Sequence, residues 1–94
     1  MWYVYIFLCD QKTFYVGSTD NLERRLQQHI RKESFYTKKF SDIKLVYKES
    51  YFTRGEAMRR EEQIKRWSIA KKKALITGDI KSLRKLSKGR GRVE

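Results

Sequence analysis

The side chains best placed to do chemistry together lie between Tyr15 and His29. Phe14 to Gly17 reads as a short strand ending at a glycine-marked turn, and Asp20 or Asn21 can cap the helix that follows. On that helix Arg25 and His29 are i, i+4 neighbours on one face. A tyrosine leaving a strand toward a guanidinium and an imidazole makes a site for phosphate. The guanidinium can hold phosphate oxygens in bidentate fashion, and the imidazole can relay a proton or donate a hydrogen bond. Taken singly, Arg25 beside Arg24 is an ordinary solvated helix face, and His29 an ordinary helix-end charge. Gly17 is most simply a permissive turn residue that also lets a phosphate come close.

The surrounding elements must hold these groups in place. Trp2 to Cys9 is aromatic and β-branched without polar interruption, the pattern of a strand covered on both faces and central in its sheet. Alternation puts Tyr3, Tyr5 and Phe7 on one face and Trp2, Val4, Ile6 and Leu8 on the other. Asp10 to Thr13 is a turn, so Phe14 to Gly17 returns antiparallel as a hairpin and brings Tyr15 near the first strand. A helix over residues 22–31 is expected to turn Leu22, Leu26 and Ile30 to the core. Residues 32–43 read as a loop with one turn around Tyr36 to Phe40. Lys44 to Phe52 reads as a third strand, with Ile43, Leu45 and Tyr47 on one face. Thr53, with Glu56 three residues later, has capping-box spacing. In the helix it opens, Glu61 interrupts a stripe of Ala57, Met58, Ile64, Lys65 and Ser68. A short helix over residues 70–77 stops near Gly78; another is expected over residues 80–86, then a basic tail at 88–92. The order β-β-α-β-α-α fits an α+β fold, a small three-stranded, mainly antiparallel sheet flanked by helices. The division expected is a domain at residues 1–78 and a basic C-terminal helix and tail at 79–94.

Ninety-four residues allow one small domain. Its net charge of +12 calls for a polyanionic partner, nucleic acid before an anionic membrane surface. Residues 65–94 hold eleven Lys/Arg against two acids; residues 1–64 hold twelve against nine. The single cysteine, Cys9, rules out a disulfide framework within the chain and suits a reducing cytoplasm. Eight apolar residues at the N-terminus are too short to span a bilayer, and no signal-peptide pattern surrounds them. A cytoplasmic protein without a membrane partner is expected.

Tyr3-Val4-Tyr5 and Tyr15-Val16-Gly17, with about ten residues between the motif tyrosines, resemble the paired motifs of the GIY-YIG nucleases. In that family an arginine lies eight residues beyond the second motif's glycine, here Arg25. A His or Tyr follows four later, here His29, and a glutamate on a later helix completes the set, here Glu61. The segment from Glu61 to Ile76 is similar to the small stand-alone bacterial members, and the likeness covers roughly residues 2–77. Tyr3 stands where many members have glycine. Ser18 stands where relatives used in excision repair carry a lysine, so that lysine's role does not transfer.

The resemblance implies a phosphodiesterase, an endonuclease acting on DNA in preference to RNA. It also implies one divalent ion, Mg²⁺ or Mn²⁺, held by Glu61. A single carboxylate suits Mg²⁺, which keeps most of its waters. Tyr15 is the first candidate for the base that prepares water, Tyr5 the second; a phenol needs nearby cations to act so at neutral pH. Arg25 would stabilise charge and His29 assist. Gly17, Ser18, Lys65 and the run Lys71, Lys72, Lys73 would meet the nucleic acid, joined by Arg66, Arg84 and Lys85 along a phosphate backbone. Tyr36, Thr37 and Lys38 could touch substrate. Trp67 is assigned to the core ahead of base stacking. A domain this small, with no targeting module, is expected to select branched, flapped or nicked DNA by shape. A monomer is assumed. The competing reading is a non-catalytic basic module that binds DNA or structured RNA, which the charge fits equally well.

Overall fold

A computed structural model describes residues 1–31, 39–79 and 81. The expected turn at 36–40, apart from its last two residues, and all but Lys81 of the expected helix and tail at 80–94 lie outside these. So do Tyr36, Thr37, Lys38, Arg84 and Lys85. The elements are β1 (Trp2–Cys9), β2 (Thr13–Thr19), α1 (Leu22–Ile30), β3 (Ile43–Tyr51), α2 (Arg54–Lys65) and α3 (Ile69–Thr77). They form an α+β fold with an antiparallel sheet in the order β2-β1-β3. No helix among the described residues is long and apolar enough to cross a membrane.

The uninterrupted apolar run makes β1 the central strand because it has helices to bury against on both sides. Val4 and Ile6 pack with Val16 against Ala57 and Ile64 of α2, with Leu75 and Ile76 of α3 alongside. Tyr5, Phe7 and Cys9 pack on the opposite face with Leu22 and Leu26 of α1 and with Ile43. The Cys9 thiol is fully buried; burial, with Asp10 and Asp42 nearby, raises its pKa and so disfavours the thiolate.

Local chemistry sets the helix ends. Asn21 Oδ1 accepts from the Arg24 amide at the start of α1. Thr53 and Glu56 form the reciprocal capping box of α2. Ser68 caps α3, and Gly78 ends it at φ 75°, a left-handed position that glycine takes without a Cβ penalty.

The sheet and helices depart from the sequence reading in three places. Ile30 is half exposed, and His29 takes the inward position instead. At about 100° per residue, position 29 returns almost beneath Leu22, whereas position 30 has turned some 80° past it. Next, the β1–β3 register shifts between Ile6 and Phe7, so that Leu45 pairs with Phe7 and Tyr47 with Ile6. The extra residue flips the alternation, and Tyr47 joins the α2 face while Ile43 stays on the α1 face. Finally, Met58 is exposed, leaving Ala57 and Ile64 as the buried contacts of α2.

The α2 face also holds a polar network. Glu49 accepts hydrogen bonds from Tyr47 Oη at 2.5 Å and Tyr51 Oη at 2.6 Å. It also accepts from Arg60 Nε and Nη2, each at 3.0 Å. Burial alone would raise the Glu49 pKa, but these donors together hold it below the usual carboxylate value; burial, then the hydrogen bond to Glu49 and its charge, push Tyr51 up to about 12. Replacing Glu49 by alanine would strand a half-buried guanidinium and two phenols. The expected loss is about 2–3 kcal/mol, a fall in Tm on the order of 10–20 °C for a domain of this size. Thermal melting at pH 7 checks this; a Tm within a few degrees of wild type would mean that the network contributes nothing.

Candidate active site

The site is built around a tyrosine laid over a glycine. Tyr5 pairs across the sheet with Gly17 of β2 on one side and Lys48 of β3 on the other. A Cβ added at Gly17 would stand 2.6 Å from Tyr5 Cζ and closer still to Oη. Only a residue without a side chain leaves room for the phenol there. The ring is 1% exposed and packs on Phe7 at 4.6 Å between centroids. Burial, then the neighbouring Tyr15, then Glu61 push the Tyr5 pKa far above that of a free phenol, against the opposing pull of Arg25. Tyr5 is therefore held in its neutral phenol form.

Tyr15 belongs to the same face. Its ring stacks 6.3 Å from Phe7 and meets His29 edge-on at 5.2 Å. His29 is fully buried and also meets Phe7 edge-on at 4.8 Å. Arg25, one helical turn earlier, is half-buried, and its charge reaches both Tyr5 and His29.

Glu61 comes from the other side. α1 covers one face of the sheet and α2 the other, so Arg25 and Glu61 sit on helices that the sheet separates. The rim strand β2 touches both faces. Gly17 and Ser18 are consecutive on edge strand β2 and point to opposite faces. Tyr5 lies across the first, and the hydroxyl of the second donates to Glu61 Oε1 at 2.5 Å. The Glu61 side chain is 18% exposed, with Lys65 Nζ 2.8 Å from Oε2. α2 is thus pinned to both edge strands by adjacent residues, Arg60 to β3 and Glu61 to β2. This fixes the rotation that aims Glu61 at the rim.

The segments Tyr3-Val4-Tyr5 and Tyr15-Val16-Gly17 lie side by side as paired strands, and the family model described as the GIY-YIG catalytic domain matches residues 1–74. The chain belongs to the GIY-YIG family. It is 43% identical over 76 residues to a UPF0213 protein of Syntrophus aciditrophicus, covering 79% of this chain and 87% of that one. It is 38% identical over 78 residues to a UPF0213 protein of Natronomonas pharaonis, covering 82% and 92%. A UPF0213 protein of Bacillus halodurans, solved by solution NMR, has the same fold, with a TM-score of 0.53 and 33% identity. That match covers 82% of this chain and 84% of the other. A GIY-YIG catalytic domain implies nuclease-type function and a nucleic-acid substrate.

Around this GIY-YIG core the remaining expected contacts divide. Gly17 is buried, Ser18 is half-buried and turned to Glu61, and Lys65 is half exposed beside it. Lys73 is exposed and Lys72 half-buried, with burial lowering the latter's pKa. Lys71 is buried, its Nζ 4.2 Å from the centroid of Trp67, whose other neighbour is the Arg60 guanidinium at 5.1 Å. Lys71 is therefore a packing cation rather than part of an open basic run, because the face of α3 that it occupies turns toward Trp67. Trp67 is part of the core-facing surface, as assigned.

The sequence reading missed two contacts. It placed Ser18 against nucleic acid, but the hydroxyl meets the carboxylate. It passed over Glu49, although Tyr47, Glu49 and Tyr51 at period two on one strand face were a signal that these groups meet.

His29 of the GIY-YIG domain also carries a pH signature. Burial, then Arg25, lowers its pKa below the ordinary 6.5. The unfolded chain therefore takes up the proton first as pH falls. The stability that neutral His29 contributes is complete above about pH 6.5 and is lost as pH falls below it. Urea midpoints measured at pH 7.5 and 5.5 should fall for wild type and fall less for His29→Gln. Identical slopes in the two proteins would refute this assignment.

Proposed function

We propose that this GIY-YIG domain hydrolyses a phosphodiester bond of DNA with one divalent ion, Mg²⁺ or Mn²⁺, held at Glu61. The supporting observation is that consecutive residues of β2 meet the two sides of the sheet: Tyr5 lies over Gly17, and Ser18 donates to Glu61 Oε1. On this reading Arg25, Tyr5, Tyr15 and Glu61 come to one phosphate at this rim.

The donor set fits a hard, largely hydrated ion. Among the described residues no three His, Cys, Asp or Glu side chains gather to hold a metal. A site offering one carboxylate and nearby hydroxyls matches Mg²⁺, which keeps several waters and takes its other ligands from phosphate; it does not match Zn²⁺. When bound, the ion would supply charge stabilisation on the phosphoryl oxygens and lower the pKa of its water.

The chain's own groups divide the remaining work. Arg25 holds a non-bridging phosphate oxygen and stabilises the charge that grows there. Tyr5, a neutral donor, hydrogen-bonds a phosphate oxygen or the attacking water. Tyr15, more open than Tyr5, acts in its phenolate form: it takes the proton from that water as the new O–P bond forms, and the leaving 3′-oxygen takes a proton from solvent as its bond to phosphorus breaks. His29 lies beneath Tyr15 and is fully buried, so it orients that ring rather than gripping phosphate itself.

Incubating the protein with supercoiled plasmid tests the reading. Nicked circles should accumulate with Mg²⁺ and not with excess EDTA. A protein that retards the plasmid in a gel but never nicks it in Mg²⁺ or Mn²⁺ would be the basic binding module instead.

A further inference from the structure

Both oxygens of the Glu61 carboxylate are engaged, and from different directions. Ser18 Oγ donates to Oε1 at 2.5 Å from the edge strand, and Lys65 Nζ stands 2.8 Å from Oε2, one turn further along α2. Glutamate four residues before lysine is the favourable order for such a helical pair. A divalent ion that takes a remaining lone pair of this carboxylate arrives within a few ångströms of both partners. The hydroxyl is neutral and can rotate to stay beside the incoming ion. The ammonium cannot stay, because two like charges a few ångströms apart repel. From this geometry we infer that Lys65 is the resident counter-cation of Glu61, which a divalent ion must displace, so that Lys65 sets the ion affinity of the site. The inference rests on the reading of Glu61 as the ion's ligand.

The exposures suit such an exchange. The Lys65 side chain is 51% exposed and has water to swing into, whereas Glu61 at 18% stays where Ser18 holds it.

Mn²⁺ titrated into the full chain without DNA, followed by paramagnetic broadening of the amide signals of Gly17, Ser18 and Glu61, measures the affinity directly. Lys65→Met should reach half-broadening at about five- to tenfold lower Mn²⁺ than wild type. Lys65→Arg, which keeps the charge, and Lys12→Met, which removes one in the exposed hairpin turn, should both stay within about twofold of wild type. An unchanged or weaker response of folded Lys65→Met would overturn the inference, as would equal tightening by Lys12→Met. Glu61→Gln separates the two levels. If it still shows wild-type broadening, the ligand assignment itself fails. If it loses the broadening while Lys65→Met matches wild type, only the counter-cation role fails.

Discussion

Exchanging Glu61 for glutamine is expected to slow plasmid nicking on the order of a thousandfold while leaving the domain folded. The amide keeps the size of the side chain and an acceptor oxygen for Ser18 Oγ, and the buried contacts of α2 at Ala57 and Ile64 are untouched. What disappears is the negative charge. With it go the one carboxylate proposed to hold the ion and the several kcal/mol such an ion contributes to a phosphoryl transition state, at about 1.4 kcal/mol per factor of ten. Initial nicking rates at saturating Mg²⁺ measure the effect, with thermal melting as the control for fold. DNA affinity in a gel-shift assay should not fall, since the variant is one unit more positive than the +12 of the chain. A variant that cuts within about tenfold of wild type would place the reaction centre elsewhere.

Gly17→Ala is the second large effect, and it acts through Tyr5. The added methyl would overlap the phenol, standing 2.6 Å from Cζ. The ring cannot move aside cheaply, because it is fully buried and packed on Phe7. Either the ring rotates out of register or β2 lifts from β1. The expected cost is about 1–3 kcal/mol of stability, the usual range for forcing an extra methylene into a full core. The cost in rate should be larger, about a hundredfold, as is typical when a reacting group is displaced by an ångström. Gly55→Ala is the matched control: its added Cβ would meet only Arg59 Nη1, at 4.0 Å, within a helix that alanine favours. Urea unfolding and initial rates on the two variants decide the matter. Equal behaviour of the two would mean that Tyr5 has slack at the rim.

What could be read from the sequence was whatever a local pattern determines. The apolar run of β1, the capping box at Thr53 and Glu56, and the left-handed stop at Gly78 each depend on residues within a few positions of one another. The hairpin brought Tyr15 beside the first strand for the same reason, and in the structure it pairs with Phe7. The inward turn of His29 in place of Ile30 was within reach too, from the arithmetic of a helical turn, but the eye follows hydrophobicity and passes over a histidine. The shift at Val46 and the meeting of Ser18 with Glu61, 43 residues apart in the chain, were not readable. A bulge leaves no mark in composition, and the Ser18–Glu61 contact depends on how α2 is rotated, which the distant Glu49–Arg60 pair helps to set.

Asp10 limits how far the hairpin between β1 and β2 can be idealised. Asp10 and its neighbour Gln11 both hold positive φ, at 51° and 61°, the conformation that Asn-Gly turns adopt without strain. A designer would put glycine at both. Yet the Asp10 carboxylate also accepts from the amides of Ser41 and Asp42, each at 2.9 Å, and its own amide donates to the Asp42 carbonyl at 2.7 Å. The tip of the hairpin is therefore the mooring for a strand that follows some thirty residues later in the chain. The two positions are not equivalent: Gln11 is free for redesign, whereas Asp10 trades local ease for long-range attachment.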